Sequence, residues 1–293
     1  MKYRARLLGS QAPSHQEPRN LESSQILFGE HWHELVQEFT RLDLSYHSDR
    51  LAALSGLAAL YQSTSGEYIC GLWRSDLVRG LMWGVKTLDP KRIHAFSHAS
   101  RISQPQQDYD VPSWSWASVT GEIEYEGRMH GLRAFESEDD IDIINVEYDR
   151  PNTNPYGPLK SCCITARGCL LPVRLDPSLS LLFDTSNFPA HDNLQQSPPP
   201  VGKVILDVHS GDMSCCDIIT QKALFCTLIQ TSRTEFSPRG ILLRAVEDKS
   251  PPDTFRRIGY IRPHLYFGIL SSIQSLIMEI ALDTSERRVF KII

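Results

Sequence analysis

The sequence contains no apolar run approaching the roughly 20 residues that a membrane-spanning helix needs, and the apolar stretch near Met1 is too short for a signal peptide. It also has no excess of positive charge. The net charge is −5 and the pI is about 6.1, so electrostatics give no basis for binding nucleic acid or an anionic membrane. We therefore expect a cytoplasmic protein that binds neither.

The common active-site motifs are missing as well. There is no phosphate-binding P-loop, no Gly-x-Ser-x-Gly nucleophile turn, no His-Glu-x-x-His zinc helix and no dinucleotide-binding glycine turn. We predict no catalytic residue, no cofactor site and no metal site, and we expect that the chain is not an enzyme. A triad that the fold assembles from the ten histidines and the many serines stays open, because such triads need no local motif.

The cysteines do not have the Cys-x-x-Cys spacing of zinc ribbons. Two adjacent pairs are typical of small buried hydrophobic residues on strands, and the seven positions are Cys70, Cys162, Cys163, Cys169, Cys215, Cys216 and Cys226. A metal or redox site is the alternative. The overall composition, with 41% hydrophobic and 22% charged residues in 293, is ordinary for a globular protein with a packed core.

Three regions differ in pattern along the chain. Residues 1–24 have no periodicity, which favours a disordered leader. Residues 25–126 have helical periodicity and contain all five tryptophans, which predicts a helical region with a Trp-rich hairpin. Residues 127–293 are rich in strand patterns separated by Pro, Asn and Ser. We expect the second and third regions to form one continuous α+β fold.

Helical spacing of apolar residues predicts three helices in the second region. The first has a stripe made by Trp32, Leu35, Val36 and Phe39. His31 and His33 lie two residues apart on this helix and therefore point away from each other, so we expect solvated side chains instead of a shared metal site. A third, shorter helix is predicted over residues 75–83, with Leu77 facing inward.

The second predicted helix begins after Ser48, the expected N-cap, and ends at Gly66. Its apolar stripe is Leu51, Leu54, Ala58 and Tyr61, and Gly56 with the neighbouring alanines predicts close contact with another helix. Asp49 and Arg50 are the charged pair that would attract a catalytic interpretation. A carboxylate at the positive end of the helix dipole and a surface guanidinium explain them with fewer assumptions.

The stretch from Asp110 to Gly121 is where we expect the fold to be held together. Strand alternation would place Trp114 and Trp116 on one face and small residues on the other. Pro112 fits the start of a strand, and Gly121 would turn the chain into a second strand over residues 122–126. The sequence therefore predicts a hairpin whose two indoles bind the helices to the sheet. A ligand pocket lined by tryptophan is the alternative.

Alternating patterns in the third region predict a mostly antiparallel β layer. The predicted strands are residues 141–148, 161–170, 202–208, 223–231 and 240–246, with 255–261 and 289–293 closing the set. Residues 265–282 suit a helix as well as a strand.

Three blocks of sequence carry a family resemblance. Residues 49–58 (DRLAALSGLA), 68–73 (YICGLW, with Gly71 and Trp73) and 112–118 (PSWSWAS) resemble, in order and spacing, the region after the signalling domain of fungal heterokaryon-incompatibility (HET domain) proteins. Residues 256–259 and 292–293 resemble the tail of that family more weakly. The upstream HET blocks, of the kind Trp-Ile-Asp-x-x-Cys-Ile-x-Gln, have no counterpart here, so their activity cannot be transferred to any residue of this chain.

The resemblance implies a non-catalytic accessory or regulatory role in fungal non-self recognition and programmed cell death. The chain would act through protein partners, or by restraining a signalling domain that it lacks. One alternative is a small-molecule enzyme of a fungal secondary-metabolite pathway that uses the Trp-rich core as a pocket. Another is a truncated gene fragment without independent function.

Overall fold

The computed structural model describes residues 17–42, 49–86, 111–119, 121–125, 137–151, 153–157, 159–183, 200, 202–207, 218, 224–232, 239–246, 251–263, 281–282 and 285–293. The helices are α1 (Glu17–Thr40), α2 (Arg50–Ser65) and α3 (Leu77–Gly80), with 3₁₀ turns at Arg74–Asp76 and Trp116–Ser118. The short strands of the N-terminal half are β1 (Tyr68–Ile69), β2 (Leu72–Trp73), β3 (Trp83–Val85) and β4 (Ile123–Tyr125).

Ten further strands form one large sheet that is antiparallel at every described pairing except β13 with β14. They are β5 (Ser137–Asp139), β6 (Ile141–Asp149), β7 (Ser161–Cys169), β8 (Leu171–Leu175), β9 (Ser180–Phe183), β10 (Gly202–Leu206), β11 (Leu224–Ser232), β12 (Arg239–Ala245), β13 (Thr254–Pro263) and β14 (Arg287–Ile292). The protein is therefore α+β with a mostly antiparallel β layer, as the sequence predicts.

The large sheet closes on itself. Strand β10 pairs with β9 on one side and with β13 on the other, so β8 to β13 form a ring in the order β10-β9-β8-β11-β12-β13. The other strands continue from the same ring, because β14 pairs with β13 and is followed by β7 and β6. Strand β5 then returns to pair with β11. Pairing in this way leaves few open strand edges.

Strands β11, β12 and β13 contribute residues to two hydrophobic clusters, one on each face of the sheet. On β12, Leu242 packs with the residues of β8 to β10, whereas Ile241 and Leu243 pack with the Trp-rich region. This is the period of two expected for a strand covered on both faces. The cluster that contains the tryptophans includes residues from Trp32 to Ile292, so one core joins the helical half to the sheet.

The helices agree with the sequence in part. Helix α1 has Trp32 and Val36 buried as predicted, but it begins at Glu17, so the predicted disordered leader is wrong for residues 17–24, and residues 1–16 lie outside the described residues. Helix α2 ends at Gly66, which has the positive φ of 78° typical of a helix end. Its predicted close contact at Gly56 is wrong, because a Cβ there would have no atom within 4 Å.

The third helix and the tryptophan hairpin also need correction. Residues 74–80 form a 3₁₀ turn and one short α-helical segment, and Trp83 belongs to strand β3. Residues 112–118 are not a strand, because they form turns and a 3₁₀ helix. Strand β4 pairs instead with β3, with Trp83 opposite Tyr125. Gly121 has a φ of 92°, so the predicted change of chain direction before β4 is confirmed.

Most strand predictions are confirmed to within two residues at each end. The β5, β8 and β9 strands of the large sheet were not predicted. Cys70, Cys162 and Cys226 are buried as expected, while Cys163 and Cys169 are half-buried. The ambiguous apolar stretch up to residue 280, and Cys215 with Cys216, lie outside the described residues. No helix in the described part of the chain is long and apolar enough to cross a membrane.

Candidate functional site

Strands β1 and β2 are joined by a two-residue turn whose conformation requires a glycine. Ile69 faces Leu72 across the turn, and the two residues between them have positive φ values, 45° at Cys70 and 91° at Gly71. Positive φ at both central positions is the conformation of a type I′ hairpin turn, in which glycine is preferred. The turn directs its backbone carbonyl groups into the core.

Two carbonyl groups of this turn accept hydrogen bonds from three side chains. The Gly71 oxygen accepts from the indole nitrogen of Trp32 at 2.9 Å and from that of Trp116 at 3.0 Å. The Cys70 oxygen accepts from the Ser115 hydroxyl at 2.6 Å. These five residues, together with Arg50, are called the Gly71 junction. It connects α1, the β1–β2 turn and the segment 112–118.

The segment 112–118 is shaped by its own serines. The Ser115 hydroxyl accepts from the backbone N–H of Ala117 at 3.1 Å and so caps the 3₁₀ turn. The backbone N–H of Ser115 donates to the Pro112 oxygen at 3.0 Å. Trp114 and Trp116 are fully buried, as the predicted role of these indoles in the core requires, although the segment is not extended.

Arg50 is the unusual member of the junction. The sequence predicts a surface guanidinium, but Arg50 is only 4% exposed and its guanidinium lies 5.5 Å from the centre of the Trp116 ring. Its Nε and Nη2 atoms are buried without a hydrogen-bond partner in the described part of the chain. Burial lowers the pKa of Arg50 to about 10. A buried cation with so little compensation from the described residues is costly.

A second buried arginine ties this half of the molecule to the sheet. Arg257 on β13 and Asp207 after β10 are both inaccessible to solvent, with Nε and Oδ2 2.9 Å apart. The Arg257 guanidinium also donates to the Leu81 oxygen at 3.0 Å and lies 3.5 Å from the Trp83 ring centre. Burial lowers the pKa of Arg257, and the Asp207 carboxylate opposes that shift.

Ser113 makes the other link to the sheet. Its hydroxyl accepts from the backbone N–H of Arg257 at 3.0 Å, and its own N–H donates to the Ile293 oxygen at 3.2 Å. Arg257 and Ile293, which lie in the two tail stretches with the weaker resemblance, therefore contact the block 112–118 directly. All of the blocks that carry the family resemblance are in this way connected in space.

The remaining predicted residues have different environments. Leu54 and Trp73 are buried in the same core, and the Trp73 ring packs edge-on against Trp32 at 5.4 Å. Asp49 occupies the N-cap position of α2 but makes no capping hydrogen bond through its side chain, and Ser48 lies outside the described residues. Gly56 is exposed on the opposite face of α2, so the structure does not bring it to the junction.

His33 is the residue that sequence reasoning missed. It is 8% exposed, not solvated as predicted, and its Nε2 lies 2.9 Å from Asp76 Oδ2. The Tyr125 ring stacks on the imidazole with 3.9 Å between centroids and an 8° angle. Gly29, one helical turn before His33, allows this approach, since a Cβ there would lie 2.5 Å from Asp76 Oδ2. A glycine four residues before a histidine on the same helix face is the sequence signal that could have indicated this close approach of Asp76.

A surface groove lies beside the junction, between the end of α2 and the end of β6. Its volume is about 500 Å³, within the range of ligand sites. It is lined by Gln62, Gly66, Glu67, Tyr68, Tyr148, Arg150, Thr153, Pro155 and Tyr156. We call it the tyrosine groove.

In the described residues no group of three or more His, Cys, Asp and Glu side chains is placed to hold a metal ion. Comparison with models of protein families, with curated proteins and with solved structures found no match. The function is therefore argued from the junction and the groove themselves.

Proposed function

We propose that this chain is a non-catalytic accessory or regulatory region of a HET-like protein, active in fungal non-self recognition and cell death through protein partners in the cytoplasm. The observation that supports the proposal is the convergence of the three resembling blocks at the Gly71 junction. Residues near positions 50, 71 and 116, far apart in sequence, meet there through the Trp116 indole and the Arg50 guanidinium.

The burial of the junction supports a regulatory role over a catalytic one. The indoles of Trp32 and Trp116 are 0 to 1% exposed and their N–H groups are engaged by a backbone carbonyl. A substrate would have to displace this packing, which typically holds several kcal/mol of the fold's stability.

Expression in a filamentous fungus tests the proposal. Strains carrying the chain are fused with genetically distinct strains, and the fraction of fusion cells that take up a vital dye is compared with an empty-vector control. We expect the chain to change that fraction. Trp116→Ala, which breaks the junction, should abolish the change, and Val289→Ala, at a position 46% exposed on β14, should preserve it.

Purified protein provides the complementary measurement. We expect no hydrolase turnover and no cleavage of NAD. An unchanged dye-positive fraction in the fusions, together with robust turnover by the purified chain, contradicts the proposal.

The buried His33–Asp76 pair favours a second candidate function, a small-molecule enzyme. A carboxylate that orients an imidazole is a common general-base arrangement. If this candidate is correct, turnover should fall at least about a hundredfold in His33→Gln, which retains a polar side chain in the same space. Equal turnover by the wild type and by His33→Gln excludes a general-base role for His33.

A further inference from the structure

The tyrosine groove has aromatic walls that are held in place. The Tyr68 and Tyr156 rings pack against each other with 5.6 Å between centroids and a 56° tilt. The Tyr156 hydroxyl donates to Gln62 Oε1, and the Tyr148 hydroxyl donates to Glu67 Oε1. Rings that are fixed before binding lose little conformational entropy when a ligand arrives.

The charges that line the groove already have partners of their own. Glu67 lies 3.2 Å from Arg74, and the bond from Tyr148 to Glu67 is the main cause that raises the pKa of Tyr148. Arg150 lies over the Tyr148 ring at 5.1 Å and donates to the Asn154 oxygen at 2.8 Å. With one carboxylate and one guanidinium both engaged, the groove favours a ligand without net charge.

The polar groups that remain for a ligand are mainly donors. Gln62 uses its oxygen for Tyr156, which leaves its side-chain NH₂ to donate, and the Arg150 guanidinium has more N–H groups than its bond to Asn154 uses. The complementary ligand therefore carries many acceptors and few donors of its own.

We infer that the tyrosine groove binds a proline-rich segment of a partner protein in the polyproline II conformation. Proline has no backbone N–H, and in this helix every carbonyl group faces outward as an acceptor. Its rings pack well on tyrosine, and aromatic grooves are the usual receptors for such segments. The inference rests on the proposed function, for which it supplies the class of partner.

Titration of the full chain with a decaproline peptide, followed by calorimetry, tests the inference. We expect saturable binding of decaproline and no binding of a Gly-Ser peptide of the same length. Tyr148→Ala removes an exposed ring, and Gln62→Glu replaces the NH₂ donor while keeping an oxygen for Tyr156. Each substitution should weaken binding at least about tenfold.

Val289→Ala is the matched control, because it truncates an exposed apolar side chain on β14 and should leave the affinity unchanged. Circular dichroism establishes that all variants are folded. The inference is overturned if folded wild-type protein does not bind decaproline, or if both groove variants bind it as tightly as the wild type. Binding of chitohexaose or cellohexaose without binding of decaproline also overturns it, because the groove is then a carbohydrate site.

The fungal expression experiment separates this inference from the proposed function. If the chain changes cell death after fusion but does not bind decaproline, the groove inference fails and the proposed function stands. If decaproline binds while expression has no effect on fusion cells, the groove is a peptide site and the proposed role in cell death fails.

Discussion

Replacement of Gly71 by alanine is expected to destabilise the protein severely, because two independent requirements for glycine coincide there. A non-glycine residue at a φ of 91° costs about 1 to 3 kcal/mol. The added Cβ would also lie 2.5 Å from Trp116 Nε1 and 2.8 Å from Cε2 of the same indole. Since Trp116 is fully buried, its ring cannot move aside without disturbing the core.

The displacement of the Trp116 ring by the added Cβ makes the second contribution to the loss of stability. Relieving the overlap takes a shift of nearly an ångström, which breaks the 3.0 Å hydrogen bond from Trp116 to the Gly71 oxygen. Leaving a buried indole N–H unsatisfied costs about 1 to 3 kcal/mol. Added to the backbone strain, the expected loss is about 2 to 6 kcal/mol, a large share of the roughly 5 to 15 kcal/mol that stabilises a typical domain.

Urea unfolding followed by tryptophan fluorescence measures this loss, since all five indoles are buried in the folded state. Gly56→Ala is the matched control. A Cβ at Gly56 meets nothing within 4 Å, and alanine is favoured over glycine inside a helix by about 0.5 to 1 kcal/mol, so this variant should gain stability. If Gly71→Ala unfolds within about 1 kcal/mol of the wild type, the account of the junction is wrong.

Three further outcomes are expected. Arg50→Met should leave the free energy of unfolding unchanged or raise it by about 1 kcal/mol in a urea titration, because methionine fills similar space without a buried charge, and a large loss would mean that the guanidinium has a stabilising partner. Asp207→Asn should cost about 3 to 5 kcal/mol, because it leaves the Arg257 charge buried, and the double variant with Arg257→Met should recover part of that loss if the pair is coupled. Partial burial acts to raise the pKa of Glu122, but hydrogen bonds from Lys86 and Arg41 outweigh it and lower the pKa below its ordinary value. The contribution of Glu122 to stability is therefore present above that ordinary pKa and is lost as the pH falls through the lowered one. Glu122→Gln should reduce the dependence of the urea unfolding midpoint on pH in the acid range, and an unchanged dependence would refute the assignment.

The parts of the fold that could be predicted from the sequence are those with a clear local period. Strand β7 alternates between more and less buried positions, and α2 has both an apolar stripe and a terminal glycine, so their ends fall within two residues of the predicted ones. The β8 strand was missed because Pro172 occupies its second position, and proline within a run argues against a strand.

The errors at the candidate site have a different origin. In the segment 112–118, alternate serines suit a strand as well as turns, and the Ser115 hydroxyl decides the outcome by bonding its own backbone. The burial of Arg50 and of His33 depends on side chains that arrive from distant parts of the chain, Trp116 in one case and Asp76 in the other. Periodicity within a single helix carries no information about such contacts.

The position of β14 has a consequence for biosynthesis. This strand is the last of the sheet to leave the ribosome, yet it belongs between β13 and β7, where it is paired on both sides. Until it arrives, the nascent chain presents two open edges that could recruit chaperones or a second nascent chain. A synthetic peptide of residues 287–293, added to a chain that stops at residue 286, should therefore restore folding in trans.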